Sequence, residues 1–537
     1  MDVLLTDADI VTMVPGAGLA RSMLVRDDRI TAVGPAESVR AAAPPGARIV
    51  GLEGAAVVPG LIDAHCHLCD VGYLASGADC SQPTAPDIPA IVAGLRDAAS
   101  RTPEGSWVTG SGYVEYKLRE GRHPTRGELD AAVPGRPVIL FHTSLHACVL
   151  NTQALREAGF DDRQPDPPGG RFGRDRDGRL DGVVYEGPTF SLLWGGLGRD
   201  LQRMSAGQRA DVVARAGQHF AARGITAVCD ADTRRASLTA FAEADDRGVL
   251  GVRVSGLVVH DEADWLLRSG LRGRRSPRLA ANSVKIWADG GMSSRTAAIH
   301  GSYPVPPYGS GILYFSPDDL AAMVAEFDAH GMQVCIHAQG DRAIEAVLDA
   351  YAATLGSRSP NPRRHRIEHG GGMFAPLAAR AATLGIVVAA QPGMLSTLGD
   401  GFAEALPERS DELYAYASWR QAGIRVAGSS DAPVITADPM VGIRDAVLRR
   451  TSSGRLLGPG EQLTVRDALA MYTSEAAFAM HREHEIGSLE PGKLADFVIL
   501  DRNPLVTEPE QITDIRVLAT VAGGRATFQA KESPFPL

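Results

Sequence analysis

The chain has 537 residues, of which 44% are hydrophobic and 59 are glycine, which is enough for a large catalytic-sized domain with attachments. A formal net charge of −10 without a basic stripe excludes nucleic acid and anionic membranes as expected partners. Because the six cysteines show no framework spacing and no apolar run or amino-terminal signal pattern stands out, we expect a cytoplasmic protein with reduced thiols, no membrane span and no signal peptide.

Short alternating segments occur at both ends of the chain. The first 58 residues include V3-L-L-T-D-A-D-I-V-T-M and M23-L-V-R-D-D-R-I-T-A-V-G, which are split by glycine and proline. Similar segments return in G487-S-L-E-P-G-K-L-A-D-F-V-I-L-D and V517-L-A-T-V-A-G-G-R-A-T-F. Such alternation predicts antiparallel strands with polar turns. We therefore expect residues 1–58 and 485–537 to form one small β-domain, with residues 59–484 inserted between them.

Eight apolar segments alternate with helical patterns between about residues 59 and 445, which favours an α/β protein with a (β/α)8 barrel. The predicted strands are Leu61–His67, Ile225–Asp230, Val252–Leu257, Ser283–Ala288, Met332–His337, His365–His369, Ile386–Gln391 and Ile424–Ser429. Capping patterns predict helices that begin after Ser205, Ser316 and Thr464.

Two histidines end the first predicted barrel strand, in V57-V-P-G-L-I-D-A-H-C-H. His65 and His67 alternate along the strand, so their rings share one face and converge. Converging imidazoles suit zinc or a similar divalent ion, although chance pairing with backbone or solvent is the alternative for this motif alone. Cys66 faces away from them, and we expect Cys66 and Cys69 to be buried thiols rather than a redox or zinc pair.

Further candidate ligands recur at the ends of later strands. Lys285 lies inside an apolar strand, where an ammonium is costly unless it is neutralised or paired. His337, His369 and Asp431 each end another strand. Taken singly, these residues have ordinary alternatives, namely a lysine paired with Asp289, a core histidine, or an aspartate that caps the next helix. Their ordered recurrence predicts a divalent-metal site at the carboxyl ends of the barrel strands.

The chain resembles the amidohydrolase superfamily of metal-dependent hydrolases, and within it the YtcJ-like branch that includes N-substituted formamide deformylases. The resemblance covers nearly the whole chain and rests on P59-G-L-I-D-A-H-C-H, K285-I-W-A-D-G-G-M-S-S-R-T-A, H337-A-Q-G-D-R-A, H365-R-I-E-H and G428-S-S-D-A-P. It implies a barrel with a composite amino- and carboxyl-terminal β-sandwich and a centre of one or two divalent ions, with zinc expected. The implied ligands are His65, His67, Lys285, His337, His369 and Asp431.

The resemblance also implies the chemistry. A divalent ion lowers the pKa of bound water from about 15.7 to about 7, and Asp431 would pass the proton of that water to the leaving nitrogen. A carboxylated Lys285 would bridge two ions, and an uncarboxylated one would indicate a mononuclear site. We expect cleavage of a C–N bond in a small amide of the N-acyl or N-formyl amine type, by a homodimer. The alternatives are cyclic amide, ester, deaminase, or lyase or isomerase chemistry on the same site, and a non-catalytic metal-binding barrel.

About 150 residues separate the first two predicted barrel strands, far more than a βα loop requires. We expect residues 70–200 to form an insertion that covers the metal site as a lid and substrate wall, with an ornament or a dimer surface as the alternative. Helices are predicted at Ile88–Ala99 and Thr125–Ala132, and a strand over residues 137–144.

Two residues of this insertion are candidate substrate contacts on the strength of the resemblance. His146 lies in H142-T-S-L-H-A-C-V-L-N, which resembles the S-x-H-A-x-x-x-N segment of YtcJ-like relatives, and Glu186 occupies a comparable position. Trp194, with Tyr185 and Phe190, suggests an apolar wall for the substrate, although aromatic residues at such spacing also occur in ordinary cores.

Other candidate contacts come from the barrel. Arg295 follows the lysine-bearing strand and is predicted either to bind a substrate carboxylate or oxyanion or to pair with Asp289. Gln391 ends the seventh predicted strand and is a candidate hydrogen-bond donor to the substrate. His365 and Glu368 are expected to orient the metal ligands.

Overall fold

Eight parallel strands form a nearly closed barrel in the computed structural model, which describes residues 2–75, 77–102, 104–167, 170–189, 191–192, 201–304, 309–356, 361–531 and 533–535. The barrel strands β1 to β8 are Leu61–Cys66, Ile225–Thr233, Arg253–Val259, Leu279–Trp287, Gln333–Ala338, Arg366–His369, Val387–Ala390 and Arg425–Gly428. Each strand pairs in parallel with the next along this series. All eight predicted strands are therefore observed.

The barrel is joined between β8 and β1 at its carboxyl end. The backbone N–H of Asp431 donates to the carbonyl of His65 at 2.7 Å, and the N–H of His67 donates to the carbonyl of Ala432 at 2.8 Å. These two bonds fix Asp431 beside the histidine pair that ends β1.

Helices cover the outside of the barrel, which explains why strands such as β1, β5 and β7 are buried along their whole length and are mainly apolar. The helices that follow the intervening segment are Ala206–Ala221, Arg235–Asp246, Ala263–Arg268, Pro317–Ala329, Asp341–Leu355, Ala375–Leu384, Met394–Ala405, Tyr416–Gln421, Pro439–Leu448, Val465–Ala470 and Ala476–Ala479. The side chains of Ser205, Ser316 and Thr464 cap three of these helices as predicted, each accepting a bond from a backbone N–H three residues on.

The two ends of the chain form a composite β-sandwich, as the resemblance implied. One sheet contains Asp2–Thr6, Ser22–Arg26, Arg29–Gly34 and Arg48–Gly51, with the helix Ala36–Ala42 beside it, and the other contains Asp9–Ile10, Ala56–Pro59, Phe497–Leu500, Val517–Ala522 and Arg525–Gln529. Leu5 and Met23 from the first sheet share one apolar core with Phe497 and Val521 from the second. This shared core makes the two termini one structural unit.

A six-stranded sheet lies between β1 and β2 in the sequence. Its strands are Ala78–Asp79, Val108–Tyr113, Val138–His142, Ala147–Leu150, Gly170–Arg174 and Leu180–Glu186, and its helices are Leu68–Leu74, Ile88–Arg101, Arg126–Ala132 and Thr152–Glu157. We refer to residues 68–189 as the intervening segment. Thr143 Oγ1 donates to the carbonyl of Val434 at 2.6 Å and Lys117 Nζ to that of Thr397 at 2.8 Å, so the segment contacts loops at the carboxyl end of the barrel. Its predicted extent as an insertion and its role as a lid remain predictions.

The six cysteines are buried free thiols. Burial raises the pKa of the Cys66 and Cys69 thiols well above the ordinary value, which agrees with the interpretation of this pair as inert core residues. Among the helices described, none is long and apolar enough to cross a membrane.

Candidate metal centre

The six predicted metal ligands line one cavity at the carboxyl end of the barrel, which we call the strand-end cavity: His65, His67, Lys285, His337, His369 and Asp431. The ring centroid of His369 lies 4.8 Å from that of His65 and 4.5 Å from that of His337. Asp431 Oδ1 lies 2.9 Å from His67 Nε2 and 3.3 Å from His65 Nε2. Ligand atoms of His65, His67 and Asp431 all lie within 4.8 Å of one another, so these three side chains are within reach of a common ion.

Two of these residues adopt left-handed backbone conformations. His369 has φ 72° and Asp431 has φ 59°, which cost roughly 1–3 kcal/mol each in non-glycine residues. On β6, strand alternation places Glu368 inside the barrel and would place His369 outside it. The turn of the backbone at His369 brings its ring back to the cavity. Strain at these two positions is consistent with a functional geometry that the surrounding fold enforces.

A buried ion pair orients His65. Its Nδ1 lies 2.5 Å from Glu368 Oε2, and Glu368 also accepts bonds from Arg366 at 2.7 and 2.8 Å. Although burial opposes ionisation of Glu368, Arg366 and His65 hold its pKa well below the usual range. An ionised carboxylate only accepts hydrogen bonds, so Nδ1 of His65 donates to Glu368 and Nε2 is the ring nitrogen that faces Asp431. The predicted orienting role of Glu368 fits this geometry.

His369 and His337 each bind another protein group through one ring nitrogen. His369 Nδ1 lies 2.7 Å from Gln391 Oε1, and His337 Nε2 donates to the carbonyl of Gly290 at 3.1 Å. The opposite nitrogens, His369 Nε2 and His337 Nδ1, are thus the candidate ligand atoms. Gln391 also donates through Nε2 to Ser429 Oγ at 3.0 Å, so both ends of its amide bind protein. The prediction that Gln391 donates to the substrate is corrected, because its side chain orients His369.

Lys285 lies on the cavity wall and is 1% exposed. Its Nζ is 5.0 Å from the ring centroid of Trp287, and burial lowers its pKa, towards the uncharged amine that reacts with carbon dioxide. Within the part of the chain that the structure describes, Lys285 forms no ion pair. Asp289, its alternative partner, instead accepts three backbone N–H groups.

The protonation states of the cluster fit a divalent cation. Burial lowers the pKa of His369 to about 3 and that of His337 well below the usual value, so both rings are neutral, the form that binds a metal. Burial raises the pKa of Asp431, but bonds from His65 and His67 outweigh this effect and keep it ionised. Burial likewise opposes protonation of His67, yet Asp431 raises its pKa to about 9, and a bound ion would take the place of that proton. Imidazoles and a carboxylate are donors that divalent metals such as zinc take in proteins.

Two carboxylates beside His67 were not predicted. Asp70 Oδ2 lies 3.9 Å from His67 Nδ1, and ligand atoms of His67, Asp70 and Asp232 all lie within 4.8 Å of one another. Burial raises the pKa of Asp70 to about 6 and that of Asp232 to about 7. Asp70 was accessible to sequence reasoning, because it follows His67 by three positions at the start of the helix Leu68–Leu74.

His365 occupies a different place from the one predicted. It stacks on Tyr351 with ring centroids 5.3 Å apart, and its Nε2 lies 3.2 Å from Asp328 Oδ1. Both partners belong to helices outside the barrel. His365 therefore binds these helices to β6, and the expectation that it orients a metal ligand was wrong because alternation on β6 turns it away from the interior.

Among the predicted substrate contacts that the structure describes, His146 is the one that lines the strand-end cavity. His146 Nδ1 lies 2.9 Å from Glu186 Oε2. Arg295 lies 3.3 Å from Glu404 Oε2, a carboxylate on the helix Met394–Ala405. Trp194 lies outside the described residues. Apolar side chains form much of the described wall: Leu145, Met292, Met394, Leu398, Phe402 and Val434.

Gln339 also lines the cavity and was not predicted. It follows His337 by two positions in H337-A-Q-G-D-R-A, and the hydroxyl of Tyr414 donates to its Oε1 at 2.9 Å. The sequence signal that could have identified Gln339 was its position two residues after the predicted ligand His337.

Sequence and structure comparisons match this chain to metal-dependent hydrolases. The profile of the amidohydrolase family matches residues 48–528, and an imidazolonepropionase-like composite domain matches residues 23–45. The chain is 31% identical to the N-substituted formamide deformylase of Arthrobacter pascens over 98% of both chains. It is 28% identical to the putative amidohydrolase YtcJ of Bacillus subtilis over 97% of this chain and 98% of that one. An uncharacterized metal-dependent hydrolase from Pyrococcus horikoshii superposes with a TM-score of 0.78 at 25% identity, covering 95% of this chain and 99% of the other.

Proposed function

Because this chain belongs to the amidohydrolase family of metal-dependent hydrolases, we propose that it hydrolyses the C–N bond of a small N-acyl or N-formyl amine. The observation that carries this proposal is the convergence of four histidines, a buried lysine and an aspartate on one cavity. The similarity to the N-substituted formamide deformylase of Arthrobacter pascens supports the choice of substrate class.

We propose two zinc ions as the cofactor, held by His65, His67, Lys285, His337, His369 and Asp431 with Lys285 carboxylated. The support is chemical: the lysine is buried beside the histidines, and its pKa is lowered, so its amine is available to form a carbamate. Divalent ions in such a site polarise the amide carbonyl and lower the pKa of water.

The chain's own residues supply proton transfer and water exclusion. Asp431 is ionised and 7% exposed, so it can take the proton from the attacking water. Its Oδ1 lies 3.3 Å from His65 Nε2 and 2.9 Å from His67 Nε2, so it is placed beside the proposed ions. Met394, Leu398 and Phe402 line the cavity from one helix, and we propose that this apolar surface receives the amine substituent.

Elemental analysis tests the metal centre. Protein grown with zinc should contain about two equivalents, and a chelator should remove them together with hydrolysis of N-benzylformamide. Protein that contains no divalent metal, with hydrolysis that a chelator leaves unchanged, would contradict the proposal.

A lysine variant tests the carbamate. Lys285→Ala should lose one ion and most activity, and short carboxylic acids should restore part of both, because they replace the bridging carboxylate. Lys493→Ala, on a lysine 3.0 Å from Glu490 in the sandwich region, is the matched control and should retain both ions. Equal metal content in the wild type and in Lys285→Ala would show that Lys285 is not a ligand.

A further inference from the structure

A histidine and a glutamate of the intervening segment are bound to each other by both backbone and side chains. The pairing of Ala147 with Tyr185 places His146 opposite Glu186 at the end of two antiparallel strands. The N–H of Glu186 donates to the carbonyl of His146 at 2.8 Å, and His146 Nδ1 lies 2.9 Å from Glu186 Oε2. The pair is therefore a preformed unit.

Hydroxyl groups from outside the intervening segment surround the Glu186 carboxylate, which is 1% exposed. Thr296 Oγ1 donates to it at 2.5 Å, Tyr314 Oη at 2.9 Å and Ser294 Oγ at 3.4 Å. Burial raises the pKa of Glu186, but His146 and these hydroxyls outweigh it and keep the group ionised. Glu186 also has φ 60°, a left-handed conformation that costs roughly 1–3 kcal/mol in a non-glycine residue. Several hydrogen bonds and a strained backbone conformation thus hold this one carboxylate in position.

The carboxylate determines how His146 can act. An ionised Glu186 only accepts hydrogen bonds, so Nδ1 of His146 keeps its hydrogen and any proton exchange with a substrate takes place at Nε2. This is the arrangement in which an acid orients a histidine and stabilises its protonated form during catalysis. A purely structural histidine would not need a carboxylate fixed by four donors.

His146 and Asp431 reach the strand-end cavity from different sides. The ring centroid of His146 lies 6.0 Å from that of His337, which ends β5, whereas Asp431 contacts His65 and His67, which end β1. Amide hydrolysis moves protons at two places, the attacking water and the departing nitrogen. Because Asp431 lies beside the end of β1 and His146 lies near the end of β5, His146 could serve the nitrogen without movement of Asp431.

We propose that the His146–Glu186 pair gives the departing nitrogen its proton, an inference that rests on the proposed amide hydrolysis. Water adds to the carbonyl carbon and its proton passes to Asp431. The C–N bond then breaks with its electron pair on nitrogen, and nitrogen takes the proton from His146 Nε2. Asp431 releases its proton to solvent and His146 regains one from solvent, so one amide and one water give one carboxylic acid and one amine.

Leaving-group dependence tests this role. We would measure kcat and KM of zinc-loaded wild type, His146→Gln and Glu186→Gln near neutral pH on formanilides whose para substituents vary the basicity of the aniline. Loss of a proton donor should lower kcat by about 10²-fold for electron-rich anilines and much less for p-nitroaniline, which leaves without protonation. The plot of log kcat against aniline pKa should therefore steepen in both variants, while zinc content stays at the wild-type value. His123→Gln removes another partly buried histidine of the same segment and should leave slope and zinc unchanged.

Each other outcome overturns the proposal. An equal loss of kcat for all anilines would show that His146 acts on the substrate carbonyl or serves only in packing. Loss of zinc would show that His146 supports the metal centre. If His146→Gln does not fold, Tyr314→Phe, which removes one bond to Glu186, should steepen the same plot to a smaller degree, and an unchanged slope there would count against the pair. Wild-type protein that binds zinc and hydrolyses no formanilide or other amide would defeat the proposed function itself, whereas an active wild type with parallel plots would defeat only the role of the pair.

Discussion

Two groups of buried histidines in this molecule differ in how their ring nitrogens are used. In the intervening segment, His123 binds protein through both nitrogens, with Nδ1 at 2.8 Å from Tyr113 Oη and Nε2 at 3.3 Å from Tyr185 Oη. His142 is similar, because Nδ1 lies 2.8 Å from Ser144 Oγ and Nε2 lies 3.0 Å from Glu115 Oε2.

In the strand-end cavity, by contrast, protein groups outside the cluster hold one nitrogen of three of the histidines, and the second nitrogen of each faces the cluster. Glu368 holds His65, Gln391 holds His369, and the carbonyl of Gly290 holds His337. Burial of a histidine alone therefore does not indicate a ligand. The informative feature is a ring that is oriented at one nitrogen and directed by the other towards further donors.

Replacement of Asp431 should have the largest effect among these tests. Asp431→Asn keeps the size of the side chain and removes the proton acceptor, so turnover should fall by about 10²-fold or more while at least one zinc ion stays bound. Steady-state kinetics and elemental analysis on the same preparation measure both. Glu115→Gln, which removes the carboxylate beside His142, is the control from the other histidine group and should change neither quantity. Wild-type turnover in Asp431→Asn would remove Asp431 from the mechanism.

The next largest effect is expected at Glu368. Glu368→Gln keeps an acceptor for His65 but removes the charge, so zinc affinity should fall by about 10–100-fold, as for other groups that orient metal ligands. It also leaves Arg366, which is 0% exposed, without its carboxylate, and such a loss costs about 3–5 kcal/mol of folding stability. Competition with a chelator measures affinity, and denaturant unfolding of the metal-free protein measures stability. A loss of stability without a loss of affinity would show that Glu368 serves Arg366 alone.

Much of this arrangement could be predicted because it follows from strand position. Lys285, His337 and Asp431 lie in or directly after apolar runs, and the carboxyl ends of parallel barrel strands meet at one face. Strand alternation no longer predicts the direction of a side chain where the backbone leaves the extended conformation. His369 reaches the cavity only through its left-handed φ, so alternation alone could not separate it from His365 on the same strand.

Contacts between distant loops could not be predicted from this sequence. Thr296 and Tyr314 bind Glu186 across 110 and 128 residues, and no local pattern marks a hydroxyl as the partner of a particular carboxylate. The same holds for Arg295 and Glu404, which belong to loops and helices on different barrel units. Such pairs depend on how the intervening segment and the loops pack against the barrel, and the sequence of a loop does not specify that packing.

A smaller effect is expected at Gln391, which holds His369 through a neutral hydrogen bond rather than a charged one. Gln391→Met preserves approximate volume and removes the acceptor, so zinc affinity should fall by about 10-fold, less than for Glu368→Gln, because charged acceptors bind more strongly. The same chelator competition measures it. A fall larger than that of the Glu368 variant would reverse the ranking of the two orienting groups.

The last test concerns His123, where no effect on the metal centre is expected. Burial lowers the pKa of His123 to about 4, below the value of about 6.5 in an unfolded chain. Between these two pH values the unfolded state binds more protons than the folded state, so this group lowers stability as the pH falls from 6.5 to 4 and has no such effect above 6.5. The total loss is about 3 kcal/mol. His123→Gln lacks the group, so its free energy of unfolding relative to wild type should rise by that amount between pH 7 and pH 4, with zinc content at pH 7 unchanged. A constant difference across this range would show that the folded protein accommodates a charged His123, and a loss of zinc would show that the two histidine groups are coupled.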